Sequence, residues 1–420
     1  MNKIIYLKKW IRKQKKFNKI KASRTSINKI TEWKFNKKKI FHKTNNFFSI
    51  SAFEFKQKRL KKTWVQPLII QREVGILGII KKKIKNLDYY LLQAKSEPGN
   101  INGVQFSPTV QATKSNYLRK HKGKKTPYLN FFQKKKNSVN IISKKKLSEQ
   151  GTKYIEKSNY NILVDITNNS LKPKSNFIWL NKNQIKYLVI KKNLINMDTL
   201  SVFSNSIKKI KNQTNIKIDK FIKLLKNYTK KYQIKKKQIL FSNLKDWKIK
   251  DDKIFDIRKN YFSIFYFNIL ATLREVKYWS QPLISDHKQA FNAFIIKKKK
   301  DDNFYLLKIT LEPGLNNAKF TTTINIKNFE AKKKYQDKYY YNYFKNKKNL
   351  KKFIYSDEGG RFYQNQSLNC IKEIKSNQNF ILKKNFKWVS HNQMIDLINK
   401  NLLTIEARNL FACYNIDKII

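Results

Sequence analysis

The stretch EWKFNKKKIFHKTNNFFSISAF at residues 32–53 returns as DWKIKDDKIFDIRKNYFSIFYF at 246–267, so that Trp33 is answered by Trp247, 214 residues on. Working outward, WVQPLI from Trp64 matches WSQPLI from Trp279, and YLLQAKSEPG from Tyr90 matches YLLKITLEPG from Tyr305, both at an offset of 215. Further along, EQGTKY from Glu149 aligns with EGGRFY from Glu358 and FIWLNKNQI from Phe177 with FKWVSHNQM from Phe386, both at 209. NLINMDTLSVF from Asn193 aligns with NLLTIEARNLF from Asn401 at 208. Six blocks in one order at nearly constant spacing mean an internal duplication. The expected layout is a basic N-terminal extension over 1–30, a first repeat over 31–206, a linker or helical connector over 207–245 and a second repeat over 246–420.

Within each copy the elements read as mixed. Residues 64–70, 76–84 and 88–95 are short Ile-, Leu- and Tyr-rich runs broken near Gly75 and Asn86, which predicts strands. Glu97-Pro98-Gly99 and Glu312-Pro313-Gly314 each follow a strand with turn chemistry. The segments 181–195 and 390–403 place apolar residues at helical spacing behind a capping Asn or Ser. The Lys-rich segments 133–146 and 331–353 read as solvated insertions or loops. The fold class expected is α+β, used twice.

The chain carries 93 Lys plus Arg against 27 Asp plus Glu, a formal charge of +66. Such an excess points first to nucleic acid. Yet it is spread over the whole length, from KKKIKN at 81–86 to KNKKNLKK at 345–352, and Lys, Asn and Ile are over-used together. That pattern fits drift under AT-rich codons better than a dedicated Arg-rich, aromatic-studded RNA face, with non-specific polyanion binding as a side effect. Two cysteines, Cys370 and Cys413, make no framework. The four histidines are scattered, so no metal site is expected. The start lacks a signal peptide's continuous apolar run, and no stretch approaches the ~20 apolar residues of a membrane span. The expectation is a soluble, cytoplasmic protein with no membrane contact.

One window departs from the lysine background. AKSEPGNINGVQFSPTVQATKSNY at 94–117 holds only two lysines in its 24 positions. If 105–116 is extended, Ser107, Thr109, Gln111, Thr113 and Ser115, with Asn116, line one face, because side chains alternate with period two. The row suits sugar hydroxyls and phosphate oxygens, or else is the polar face of an edge strand. Glu97, beside it, is a candidate acid or base, or a turn carboxylate paired with lysine; Glu149 and Glu358 are comparable. Lys95 and Tyr117 are candidates to steady a developing enolate or protonate a leaving hydroxyl. Glu358-Gly359-Gly360-Arg361-Phe362 offers backbone N–H groups and a guanidinium to an oxyanion, or a plain turn with a structural ion pair. Arg408, in Glu406-Ala407-Arg408, is a second cationic candidate.

WVQPLIIQREVGILGII, LLQAKSEPGNINGVQFSPTVQATKSNYLRKH, LSEQGTKY, YSDEGGRFYQ and the paired NMD and IEAR blocks resemble the NDP-hexose 2,3-dehydratases over about residues 30 to 415. The resemblance implies two tandem Nudix-like domains, a homodimer, and dehydration of a dTDP-4-keto-6-deoxyhexose across C2 and C3 without a cofactor, in deoxysugar biosynthesis. The Nudix hydrolase signature is absent, which disfavours pyrophosphate hydrolysis. The resemblance further implies nucleotide-sugar contacts at Thr113, Lys114, Ser115, Asn116, Tyr117 and Ser148. It extends them to the Trp33/Trp247 pair, as core packing or as a wall for the base, to Glu358 through Phe362, and to Glu406, Ala407, Arg408 and Asn409. The copies differ: Thr152 aligns with Arg361, Leu200 with Arg408, and AKFTTTINIKNF with GVQFSPTVQATKSNY. Either the sites draw on both copies or one is decaying. The rival functions are a catalytically dead nucleotide-sugar binder and a polyanion- or RNA-binding protein.

Overall fold

Alternating β-branched and aromatic residues in SISAFEF and FSIFYFNI fit a pleated, half-buried surface. Each forms a long strand of a small, mainly antiparallel sheet. The computed structural model describes residues 3–118, 125–133, 139–167, 171–211, 217–274, 276–299, 302–327, 338–346, 348–375 and 380–420. In copy one, strands Trp33–Phe35, Lys39–His42, Ser49–Gln57 and Lys62–Ile70 make an antiparallel meander. In copy two the same meander is Trp247–Ile249, Lys253–Asp256, Phe262–Ala271 and Tyr278–Asp286. The two sheets share one core, in which Trp33, Ile40 and Ile50 pack with Trp247, Ile254 and Ile264.

A seven-stranded mixed sheet follows in each copy. In copy one Gly75–Ile84 lies between antiparallel Leu87–Ser96 and parallel Ser158–Asp165. In copy two Ala290–Lys299 lies between Asp302–Thr310 and Gln366–Ile374 in the same senses. The expected α+β class and the three expected strands are present. The Lys-rich segments differ from expectation: Asn140–Ser148 and Leu350–Ser356 are edge strands, while 134–138 and 328–337 lie outside the described residues. Exposed lysines suit such edges because charge there opposes pairing with a further strand.

Helices Lys182–Ile190 and His391–Asn399 begin with capping boxes, Asn181 with Gln184 and Ser390 with Gln393. Both stop before the end of the periodic pattern. Asn193 and Asn401 adopt left-handed φ values of 53° and 56°, which Asn tolerates, and the chain turns there. Asn196 and Thr404 then cap two further helices, Met197–Ser204 and Ile405–Tyr414, formed by the NMD and IEAR blocks. These two are buried along their whole length save Tyr414 and meet between the copies, where Asn409 donates to the Met197 carbonyl at 3.1 Å.

The segments 1–30 and 207–245 each carry a helix and a strand at equivalent positions. Helix Lys3–Phe17 leads to strand Ile20–Thr25, and helix Asp219–Lys231 leads to strand Ile234–Ile239. Both strands cross over: Ile20–Thr25 pairs with Phe262–Ala271 of copy two, and Ile234–Ile239 with Ser49–Gln57 of copy one. The copies therefore exchange arms.

A second reciprocal contact lies at the Pro-Gly turns. The Gly99 N–H donates to the Gly359 carbonyl at 2.9 Å, and the Gly314 N–H to the Gly151 carbonyl at 2.7 Å. A Cβ on Gly99 would lie 1.7 Å from the Phe362 oxygen, and one on Gly314 1.8 Å from the Tyr154 oxygen. Glycine is required by this backbone-to-backbone approach. The contacts also correct the alignment of these loops. Gly151 stands opposite Gly359, not Gly360, so the loop offset is 208, not 209. Ile69 and Ile284 agree, donating to the carbonyls of Lys153 and Arg361. Lys153, not Thr152, therefore occupies the place of Arg361, and Gln150, not Glu149, the place of Glu358. Among the described residues no helix is long and apolar enough to cross a membrane.

Candidate active site

A cavity of about 430 Å³ opens where the Glu97 turn of copy one meets the Glu358–Phe362 loop of copy two. That volume suits a small-molecule ligand. The Gly99–Gly359 contact fixes how the two segments meet, so one pocket is assembled from both copies within a single chain. A Cβ on Gly360 would lie 3.2 Å from Glu358 Oε2 and 3.5 Å from Glu97 Oε1, which puts both carboxylates beside this backbone.

The two carboxylates have different surroundings. Burial pushes Glu97 up, but Lys95 Nζ at 2.9 Å, with Arg274 and Arg361, outweighs it and holds Glu97 below the usual carboxylate range. For Glu358, withdrawal from water dominates and lifts the carboxyl to about 7; Arg361 opposes the rise and the Glu97 charge adds to it. The Tyr154 phenol donates to Glu358 Oε1 at 3.0 Å. Two further acids line the wall. Burial raises Glu149 against Arg408, the Asn159 amide at 2.8 Å and Lys157. Burial, reinforced by Glu149, Glu358 and Glu97, raises Asp198 far above its ordinary value.

At the other end the lining is aromatic. The Arg361 guanidinium sits 4.2 Å from the Phe48 ring centroid, Phe48 tilts against Trp33 at 4.7 Å, and Trp33 meets His42 edge-on at 5.6 Å. Arg361 Nε is buried with no hydrogen-bond partner, a donor left for a ligand.

The equivalent pocket in copy two is nearly closed, with about 20 Å³, room for about one water. Lys153 contacts Asp286 there, and Lys327 contacts Glu406 and lies 3.8 Å from Glu312. By strand register, Lys327 and Asp286 stand where the open pocket has Thr113 and Gln71.

The sequence-derived candidates divide between these places. Trp33, Lys95, Glu97, Thr109, Gln111, Thr113, Asn116, Glu149, Glu358, Gly360, Arg361 and Phe362 line the open cavity. The expected extended row breaks, however. Strands Val104–Ser107 and Val110–Ala112 are separate, and Lys114–Tyr117 is a helical turn capped by Thr113. Ser107 is fully buried and donates to backbone. Thr109 accepts from the Ile80 N–H at 3.0 Å and donates to the Leu91 carbonyl, as Thr323 does with Ile295 and Leu306. Most of the window lacks lysine because it is buried. Ser115 is bound by Glu73, Lys114 is exposed, and Tyr117 packs on the sheet. Trp247 packs on Tyr261 and Phe262 and donates to the Val65 carbonyl. Gly359 and Ala407 are interior. Ser148 accepts from Lys319. Glu406 and Asn409 line the closed pocket. Arg408 is 1% exposed, bonded to Ser201 Oγ and the Ser148 carbonyl between the pockets.

Sequence reading missed Asp198, Tyr154, Lys157, Arg274 and His42, all of which belong to the cavity lining. Asp198 had a signal, since it is matched by Glu406 at the 208 offset. Among the described residues no group of three His, Cys, Asp or Glu is arranged to hold a metal ion.

Comparison with known proteins identifies the family. Residues 5–205 and 218–414 match the NDP-hexose 2,3-dehydratase family. A protein of Saccharopolyspora spinosa named dTDP-4-dehydro-6-deoxy-alpha-D-glucopyranose 2,3-dehydratase is 26% identical over 444 residues, covering 96% of this chain and 89% of that protein. Its namesakes in Streptomyces violaceoruber (27% over 429 residues, 96% and 95% covered) and Amycolatopsis orientalis (26% over 422 residues, 97% and 89%) are similarly related.

Proposed function

Because the chain belongs to the NDP-hexose 2,3-dehydratase family and is a hydro-lyase, we propose that its open cavity removes water from C2 and C3 of a dTDP-4-keto-6-deoxyhexose, with Glu358 moving the protons. The observation that carries this assignment is a pair of neighbouring carboxylates with different partners: Glu97 is ion-paired with Lys95 at 2.9 Å and held low, while Glu358 accepts from the Tyr154 phenol and is raised by burial. Groups with pKa values near the operating pH exchange protons most effectively.

The C4 ketone acidifies the C3 hydrogen. Ionised Glu358 takes that proton, and the C3–H electrons move into an enolate at the C4 oxygen. Lys95 stabilises that charge, while Glu97 holds Lys95 in position. The enolate then reforms the C4 carbonyl, the C2–C3 double bond forms, and the C2–O bond breaks. Protonated Glu358 gives its proton to the departing hydroxyl, which leaves as water. The remaining C3 enol takes a proton at C2 and loses its hydroxyl proton, giving the 3,4-diketo-2,6-dideoxy sugar.

The lining supports one ligand orientation. The sugar sits at Glu97 and Glu358, the diphosphate at Arg361 and Arg274, and the base beyond them at Phe48 and Trp33. We also read each copy as a Nudix-like domain, and the enzyme as a cytoplasmic homodimer, from the resemblance. The binding-only alternatives gain no support from the relatives. The test is incubation with the 4-keto-6-deoxy nucleotide sugar in deuterated water, followed by mass spectrometry. Loss of one water with one deuterium fixed at C2 is expected; an unchanged substrate overturns the reading.

A further inference from the structure

His42 lines the same cavity at its aromatic end but has no part in the chemistry above. It ends strand Lys39–His42 and pairs across the meander with Trp33. Its ring is held edge-on between Trp33 at 5.6 Å and Phe47 at 4.6 Å. The Trp33 indole N–H is already committed to the Ser280 carbonyl at 2.7 Å, so Trp33 offers a base only its surface.

The hydrogen bonds of His42 fix its tautomer. The Thr44 backbone N–H, which can only donate, points at Nδ1 at 3.3 Å, with Thr44 Oγ1 at 2.8 Å from the same nitrogen. Copy two supplies an independent parallel. Asp256 stands at the equivalent position, and its Oδ1 accepts the N–H two residues on, from Arg258 at 3.0 Å. In both copies this side chain is the acceptor that ties the following turn. An imidazole accepting at Nδ1 carries its proton at Nε2. None of the described residues takes that proton.

Arg361, Phe48, Trp33 and His42 form a sequence of contacts leading away from the carboxylates, with His42 last. In a nucleotide sugar laid along it, N1 of the pyrimidine faces the deoxyribose and the 2-carbonyl lies near that end. The 4-carbonyl is at the far edge of the ring. Resting on the orientation given under the proposed function, we propose that His42 is a specificity residue whose Nε2–H donates to the pyrimidine 4-carbonyl. This selects thymine or uracil over cytosine, which presents an amino group there.

The test uses the full-length chain and titration calorimetry with dTDP, dCDP and inorganic pyrophosphate. The native protein prefers dTDP over dCDP. His42→Phe keeps a ring between Trp33 and Phe47 but loses the donor, so dTDP affinity falls on the order of tenfold or more while dCDP and pyrophosphate change little. His42→Gln, which restores an N–H, recovers part of the preference. A dTDP/dCDP ratio unchanged in His42→Phe overturns the inference. Nitrogen NMR gives a readout free of substitution: an Nε2-protonated ring whose proton shifts downfield with dTDP supports it, and an Nδ1-protonated ring overturns it. The two claims fail separately. Native protein that dehydrates substrate but shows no base preference sinks only the role of His42. A preference that collapses in His42→Phe, in protein without turnover, sinks only the reaction.

Discussion

Glu358 and Glu97 are both buried carboxylates, and what distinguishes them is the neighbours each faces. Burial wins at Glu358, whereas three cations win at Glu97. Since the proposed base must be ionised, kcat/KM should fall as pH drops below about 7. The Glu97 charge raises Glu358, so Glu97→Gln should move that acidic limb to lower pH, and losing the Tyr154 donor in Tyr154→Phe should move it higher. Glu358→Gln should cut kcat by about 10²–10⁴ while dTDP still binds. Profiles of rate against pH, with calorimetry, on the four proteins check all four outcomes, and a limb unmoved by Glu97→Gln contradicts the coupling. Glu97 and Glu358 were legible as candidates because both adjoin turn glycines in matched blocks. Their different affinities for protons were not, because two of the three cations at Glu97, Arg274 and Arg361, come from segments far from it in sequence.

At the scale of elements, the strands and capped helices were readable because local rules decide them: period-two alternation, and Asn or Ser ahead of an apolar run. The window at 94–117 was misread as one ladder because a row of small polar residues looks the same whether it faces a ligand or pins buried backbone, as Thr109 does. The loop register slipped by one because EQGTKY and EGGRFY align equally plausibly either way, and only the Gly99–Gly359 and Gly314–Gly151 contacts decide between them. Those contacts predict that Gly99→Ala and Gly314→Ala each cost more than about 2 kcal/mol, since backbone must move to admit a methyl. Thermal unfolding would measure this, and a native-like midpoint would contradict it. The crossed arms predict that deleting residues 1–25 unprotects strand Phe262–Ala271, far away in sequence, in hydrogen exchange. Protection lost only within copy one would contradict the strand assignment.

For the whole molecule, duplication has produced two pockets with separate fates. One carries Thr113, Gln71 and Glu358 and is open; the other carries Lys327 and Asp286 and is filled by its own ion pairs. Calorimetry with dTDP should therefore give one site per chain, and a stoichiometry of two would contradict the closure. The surplus of 66 positive charges is spread along the whole sequence. Any RNA affinity should fall steeply between low and physiological salt. Binding of dTDP in the cavity should depend on salt far less, because buried groups are poorly screened.

Arm exchange has a bearing on how the chain comes off the ribosome. Strand Ile20–Thr25 is synthesised before its pairing partner, Phe262–Ala271, which emerges some two hundred and forty residues later. At translation rates of about 5–20 residues per second that gap is more than ten seconds. During it the first copy lacks the strand Ile234–Ile239 that covers the edge of Ser49–Gln57. Neither half completes its first sheet from its own repeat alone, so each waits on the other for one strand.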